Sequence, residues 1–351
     1  MRAIARDFSP VPLIVSALLL AAPAAGQQAA PKLPEFLQKD VGLTAAEMAA
    51  LQSAQPVTKV VTMPGGRDIA VFGIIAVDAP RSFLTARIKD FPQYLRVPTR
   101  SRFGIFDSPA TLANTQAVSV TAADVKELRS CKPGDCTFKL PAAEMKQLRE
   151  KSSGNDQAAA AAVSAYVQQR MIEIVQDYRA RGDAAMMVYN DRGTVASSKA
   201  LGELAATPRF LYQYVPEFQQ YLDDYPRAKL DGVTDVVYWS SDELPSLRPI
   251  LNITHLTVYS PPSLPNMTLV SSKGIYANHY FEAALDVLAL VDREPATAGS
   301  YVMFLRRYRF DNLTAGFVSL RGRVTNEIRG FTKTDLLRVK KTYEDRYRAE
   351  R

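Results

Sequence analysis

The pattern of apolar and polar positions divides the chain into three textures. Ile69 to Val77 is nearly continuous in apolar, β-favouring residues, as in a strand buried on both faces. Asp78-Ala79-Pro80 follows, and Pro80 suits the first turn of a helix that sets Phe83, Leu84 and Ile88 on one side. A second short helix is predicted over 90–95, where Phe91, Tyr94 and Leu95 are the apolar positions. Upstream, Thr44 and Glu47 have the capping-box spacing, which predicts a short helix over 43–54.

From about 100 to 230 the period becomes helical. Capping signals at Thr121 and Ser153, alanine richness, and the set Val163, Tyr166, Val167, Ile172 and Val175 predict several helices. The longest is expected at 156–181, stopped by Gly182, and two more near 198–205 and 208–223. From 232 onward strands are predicted at 233–240, 249–260, 267 to about 291 with at least one break, and 300–310. The segments between them are rich in Pro, Ser, Asp and Gly, so the strands form an antiparallel meander. Val324, Ile328, Phe331, Leu336, Val339 and Tyr343 keep helical spacing through a long final helix of about 320–348.

A hydrophobic content of 47% with 23% charged residues belongs to a globular chain, and disorder is expected only near 26–36 and 150–162. Arg2 and Arg6 precede an apolar run from Val11 to Ala22, and the small residues Ala24-Ala25-Gly26 follow. Residues 1–26 therefore read as a cleavable export signal, which predicts a periplasmic or secreted, soluble mature chain. The formal charge of +7 resides in residues 301–351, which hold 13 Arg and Lys against 6 Asp and Glu. That tail is read as a solvated helix face, with contact to an anionic membrane surface as the alternative; an exported protein is not expected to bind nucleic acid.

In an exported chain, Cys131 and Cys136 are expected to be disulfide-bonded, because Pro133-Gly134 between them favours a tight turn. A redox pair would more typically be Cys-x-x-Cys, and two distant histidines hardly complete a metal site. No metal and no cofactor are expected.

The order strand, Ala79-Pro80, amphipathic helix, Asp90-Phe91-Pro92-Gln93-Tyr94, then antiparallel strands and a long last helix resembles the helix-grip, START-like superfamily. The stretch Gly274 to Asp286 is also similar to one in uncharacterised exported bacterial proteins. The first resemblance implies an α+β fold: an antiparallel helix-grip sheet with a long C-terminal helix and a mostly helical insertion. It divides the chain into a signal (1–26), an N-terminal segment (27–56), a helix-grip domain (57–98 and 230–351) and the insertion (99–229). It further implies a cavity between sheet and last helix that holds a hydrophobic small molecule or lipid, with the insertion capping the cavity mouth or meeting a partner.

Candidate chemistry is sparse. Strand alternation puts His279 on the face of Ile275, Ala277 and Phe281, and His255 on the face of Leu251, Ile253, Thr257 and Tyr259, so both imidazoles are expected to point into the apolar side. His255, His279, Tyr259 and the single tryptophan, Trp239, are the expected lining groups. Within Phe304-Leu305-Arg306-Arg307-Tyr308-Arg309, parity puts Arg307 and Arg309 on one face and Arg306 on the other; Arg307 is taken as the cavity-facing arginine, able to hold a carboxylate or phosphate. An alternative is a hydrolase or lyase with an inward histidine as general base and Glu282 or Asp286 as its partner; parity argues against pairing His279 with Glu282. A third is a non-catalytic envelope interaction protein that works through its helical insertion.

Overall fold

The computed structural model describes residues 32–64, 66–206, 212–243, 247–295, 299–311 and 320–351; the predicted export signal lies outside them. In chain order the described helices and strands are α1 (Leu33–Lys39), α2 (Ala45–Gln52), β1 (Val57–Val61), β2 (Asp68–Val77), α3 (Arg81–Lys89), α4 (Phe91–Tyr94), β3 (Arg100–Ile105), α5 (Ala122–Leu128), α6 (Ala142–Lys151), α7 (Asp156–Arg181), β4 (Val188–Tyr189), β5 (Val195–Ala196), α8 (Ser197–Ala206), α9 (Pro216–Asp223), β6 (Thr234–Asp242), β7 (Ile250–Tyr259), β8 (Met267–Ala277), β9 (Phe281–Asp292), β10 (Ser300–Phe310) and α10 (Leu320–Ala349). The fold is α+β. One antiparallel sheet runs in the order β1-β2-β10-β9-β8-β7-β6-β3, while β4 and β5 form a separate short ribbon.

The pairing of β2 with the distant β10, from Val77↔Ser300 to Asp68↔Arg309, closes the sheet around its most apolar strand. Every residue of β2 is buried, because helices cover both faces. On the front, Ile75 and Val77 pack with Leu84 and Ile88 of α3 and with Leu336 and Val339 of α10. Gly73 sets how closely α10 lies: a Cβ there would fall 2.7 Å from Thr332 Cγ2 and 3.0 Å from Leu336 Cδ1. On the back, Phe72 and Ile74 pack with α1, α2 and α9, and Ala70 packs with Leu201 and Leu204 of α8. Further along that face, Met171, Ile172 and Val175 of α7 cover Val237, Trp239 and Ile253.

Local signals explain most element ends. Thr44 and Glu47 form the predicted capping box of α2. The cap of α7 is Asn155, whose side chain accepts from the amides of Gln157 and Ala158, rather than the expected Ser153. Gly182 ends α7 at φ 61°, where a Cβ would lie 1.8 Å from the Tyr225 carbonyl oxygen; conformation and space both demand glycine. Cys131 and Cys136 are disulfide-bonded, and the lobe they stabilise, α5 and α6, packs on α7 through Val125, Leu128, Met145 and Val163.

Two sequence expectations are corrected. The edge strands β1 and β3 were not anticipated: β3 lies inside the stretch read as helical, yet it pairs with β6. The segments 32–36 and 150–162, where disorder was expected, include the start of α1, the end of α6 and the first turns of α7. The longest helix of the 99–229 stretch, α7, packs on the back of the sheet, while Thr137, Met186, Tyr189 and Arg192 of the same stretch reach the cavity described below.

Candidate functional site

Between the front of the sheet and α10 lies a cavity of about 1210 Å³. Pockets that enclose drug-sized ligands hold about 300–1,000 Å³, so this one has room for a long apolar chain. Its floor can be read from the strand register. Val302 on β10 pairs with Leu290 on β9, and Phe304 pairs with Leu288, which faces Val270 on β8. The next rung is polar, with Arg306 opposite Asp286 and Asp286 opposite Ser272. After it come Tyr308 and Ala284, with Gly274 against Ala284; Thr254 and Tyr238 continue the floor on β7 and β6. Small residues between two tyrosines hollow the sheet surface there. The roof is α10, through Ile328, Phe331, Asp335, Val339 and Tyr343, and α3 and α4 close the apolar end with Leu84, Ile88 and Tyr94.

The polar rung is bound to the roof. Arg306 Nη2 donates to Asp335, whose other oxygen accepts from Arg338 Nε at 2.9 Å. The Arg306 guanidinium also lies over the rings of Phe304 and Phe331, at 4.8 and 4.9 Å from their centroids. The Tyr308 hydroxyl donates to Asp286 Oδ2 at 2.9 Å. Burial raises the Asp286 carboxyl above the usual range, while Arg306 and the Tyr308 hydroxyl pull it down. Asp335 is held below the usual range: burial opposes ionisation, but Arg306 and Arg338 outweigh it. Burial likewise pushes the Tyr94 and Tyr308 hydroxyls upward, so both stay protonated donors.

Of the residues expected to line the cavity, His279 does. It sits in the connection 278–280 between β8 and β9 instead of within a strand, and its Nδ1 donates to the Thr137 carbonyl at 2.8 Å. His255, Tyr259, Trp239 and Arg307 lie on the back face. His255 Nδ1 and the Tyr178 hydroxyl are 2.9 Å apart, and the imidazole packs against the Tyr225 ring. Tyr259 stacks on Phe218 of α9. Trp239 Nε1 donates to the Asn114 carbonyl at 2.7 Å. Arg307 Nη1 reaches the last carbonyls of α8, Leu204 and Ala205, where a cation suits the helix C-terminus. The alternation within β7 and β10 was read correctly, but the cavity lies on the other face; in β9 it fails at Phe281, which packs with Tyr308 and Phe310 on the cavity side.

The general-base arrangement finds little geometric support. Glu282 accepts from Arg67 Nη2 at 2.7 Å, and Asp286 serves Tyr308, so neither carboxylate orients the His279 imidazole. Among the described residues, no group of three or more His, Cys, Asp or Glu could hold a metal ion. Sequence reasoning named Asp286 only as a partner for a catalytic histidine, put Arg306 on the face opposite the expected cavity, and overlooked Ser272, Tyr308 and Asp335 as lining groups. The usable signal was an acid inside one predicted strand and an arginine inside the next, a cross-strand pair that needs a shared face.

Both imidazoles are held below the ordinary histidine value of 6.5 by burial, with Asp235 acting against this for His255 and the Thr137 carbonyl for His279. The unfolded chain therefore takes up protons below pH 6.5 that the folded protein resists, and stability falls as pH drops from 6.5 toward the folded-state values. Thermal unfolding at pH 7 and pH 5 should show this loss, and His255→Gln should make the slope shallower. An unchanged slope would show that His255 protonates as easily folded as unfolded.

Fold and site together define an α+β protein with a ligand-sized chamber between its sheet and its last helix. Compared with protein-family models, curated proteins and solved structures, the chain has no match.

Proposed function

We propose that the protein is an exported binding protein that holds an apolar or lipidic ligand in the chamber under α10, as in helix-grip, START-like proteins. The observation that carries this reading is the chamber itself: about 1210 Å³, floored at one end by Leu288, Leu290, Val302 and Phe304 and roofed by an amphipathic helix. Binding would come chiefly from burial of apolar surface, at roughly 25 cal/mol per Å², with a few polar groups fixing orientation. The exposed basic residues of α10, among them Arg323, Arg329 and Lys333, suit contact with an anionic membrane from which such a ligand is drawn.

The test is titration with the apolar fluorophore N-phenyl-1-naphthylamine. Wild-type protein is expected to bind it saturably at one site. Ala284→Trp, which fills the hollow between Tyr238 and Tyr308, is expected to weaken that binding roughly tenfold while unfolding cooperatively. Absence of saturable binding to the wild type would remove the carrier reading.

A further inference from the structure

The polar rung in the chamber floor carries hydrogen-bonding capacity that the protein leaves unused. Arg306 is 5% exposed. Its Nη2 is committed to Asp335, but Nε and Nη1 are buried with no hydrogen-bond partner among the described residues. Asp286, its register partner on β9, has the complementary excess: Oδ2 accepts from Tyr308, while Oδ1 is buried with no donor among the described residues. Buried polar atoms left unmatched are strongly unfavourable, and more so when charged. Two donors and one acceptor are therefore left unmatched on adjacent strands, on two side chains that line the same chamber. One group that accepts from Arg306 and donates to Asp286 would satisfy both.

Charge decides what kind of group. Around the rung, Arg306 and Arg338 already balance Asp286 and Asp335. An ionised carboxylate head would be a third anion beside Asp286, and an ammonium head would face Arg306. Neither repulsion arises with a neutral group that has both a lone pair and a proton. The rungs on one side of this pair, Leu288–Phe304 and Leu290–Val302, are apolar, so a tail can run along them toward Leu84 and Ile88.

We propose that the ligand is a long-chain molecule with an uncharged head that both accepts and donates a hydrogen bond, an alcohol or a carboxamide, held between Arg306 and Asp286. The assignment rests on the carrier reading above and narrows it.

The experiment is displacement of N-phenyl-1-naphthylamine from the wild-type protein by a series of equal chain length: dodecane, dodecanol, dodecanamide and dodecanoate. Dodecanol or dodecanamide is expected to compete roughly tenfold better than both dodecane and dodecanoate, one hydrogen-bonded charged group being worth about that factor. The better of the two identifies the head. In Asp286→Asn, which removes one negative charge with little change of shape, dodecanoate is expected to gain on dodecanol at least tenfold. Equal competition by dodecane and dodecanol would overturn the head-group assignment and show that water satisfies these atoms, with the carrier reading intact. Tightest binding of dodecanoate to the wild type would overturn the uncharged head. Failure of the fluorophore itself to bind would remove both readings. The wild-type series stands even if the variant does not fold.

Discussion

Replacing Asp68 by alanine is expected to destabilise the protein by about 3–5 kcal/mol, the usual consequence of removing one partner from a buried ion pair. Asp68 opens β2 and Arg309 lies near the end of β10, and the two are register partners. They are 3% and 7% exposed. The contact is two-pronged, with Arg309 Nε donating to Oδ1 at 2.6 Å and Nη2 to Oδ2 at 2.9 Å, while Nη1 reaches Glu203 on α8. These hydrogen bonds hold the guanidinium more firmly protonated than usual, against the effect of burial. Without Asp68 the arginine keeps its charge under α8, facing only the partly exposed Glu203. Urea denaturation at neutral pH should show a lower midpoint with an unchanged slope. The double replacement Asp68→Leu with Arg309→Met should recover most of the loss, because the stranded charge is then gone. A loss below about 1 kcal/mol for Asp68→Ala would mean that the pair is solvated and does not clamp the two strands.

Leu336→Ala carries the second large expected effect, a loss of about 2–5 kcal/mol from removing a fully buried leucine and leaving a void. Leu336 is 0% exposed and seats α10 over Gly73, among Ile75, Val77, Val302 and Phe304. Because it packs beside the chamber rather than floors it, the variant separates two roles of α10. Stability should fall as stated, while fluorophore affinity changes by a smaller factor so long as the helix stays docked. Hydrogen exchange should then show faster opening across α10 than across β9. Equal exchange in both, with wild-type stability, would mean that the helix is held at its other contacts.

Much of the architecture was legible because it is written in local rules. The nearly all-apolar run of β2 requires cover on both sides, the stop of α7 at Gly182 follows from a conformation only glycine adopts easily, and the α10 stripe keeps its period for several turns. β1 and β3 escaped notice because edge strands need only half of an apolar face, and Arg100-Ser101-Arg102 gives no alternation to read. The site was less legible for a different reason. Helices cover both faces of this sheet, so hydrophobicity marks neither as the hollow one. Alternation separated Arg306 from Arg307 correctly but could not say which faced the chamber. The histidine was misplaced by a local irregularity: Tyr280 adopts φ 63° in the link between β8 and β9, and a link there resets the alternation that had been carried through from Ile275.

The ladder between β8 and β9 ends at Lys273↔Leu285, well before either strand does. Through the opening that follows, the chamber wall includes Thr137, Met186, Tyr189 and Arg192 from the far side of the sheet. Thr137 adjoins Cys136, and two residues on Lys139 ties the same lobe to Asp191 and to Asp311 beyond β10. The chamber and the disulfide therefore border on one another through Thr137. By thermodynamic linkage the two are reciprocal: if reducing the disulfide weakens binding in the chamber, an occupant makes the disulfide harder to reduce by the same factor.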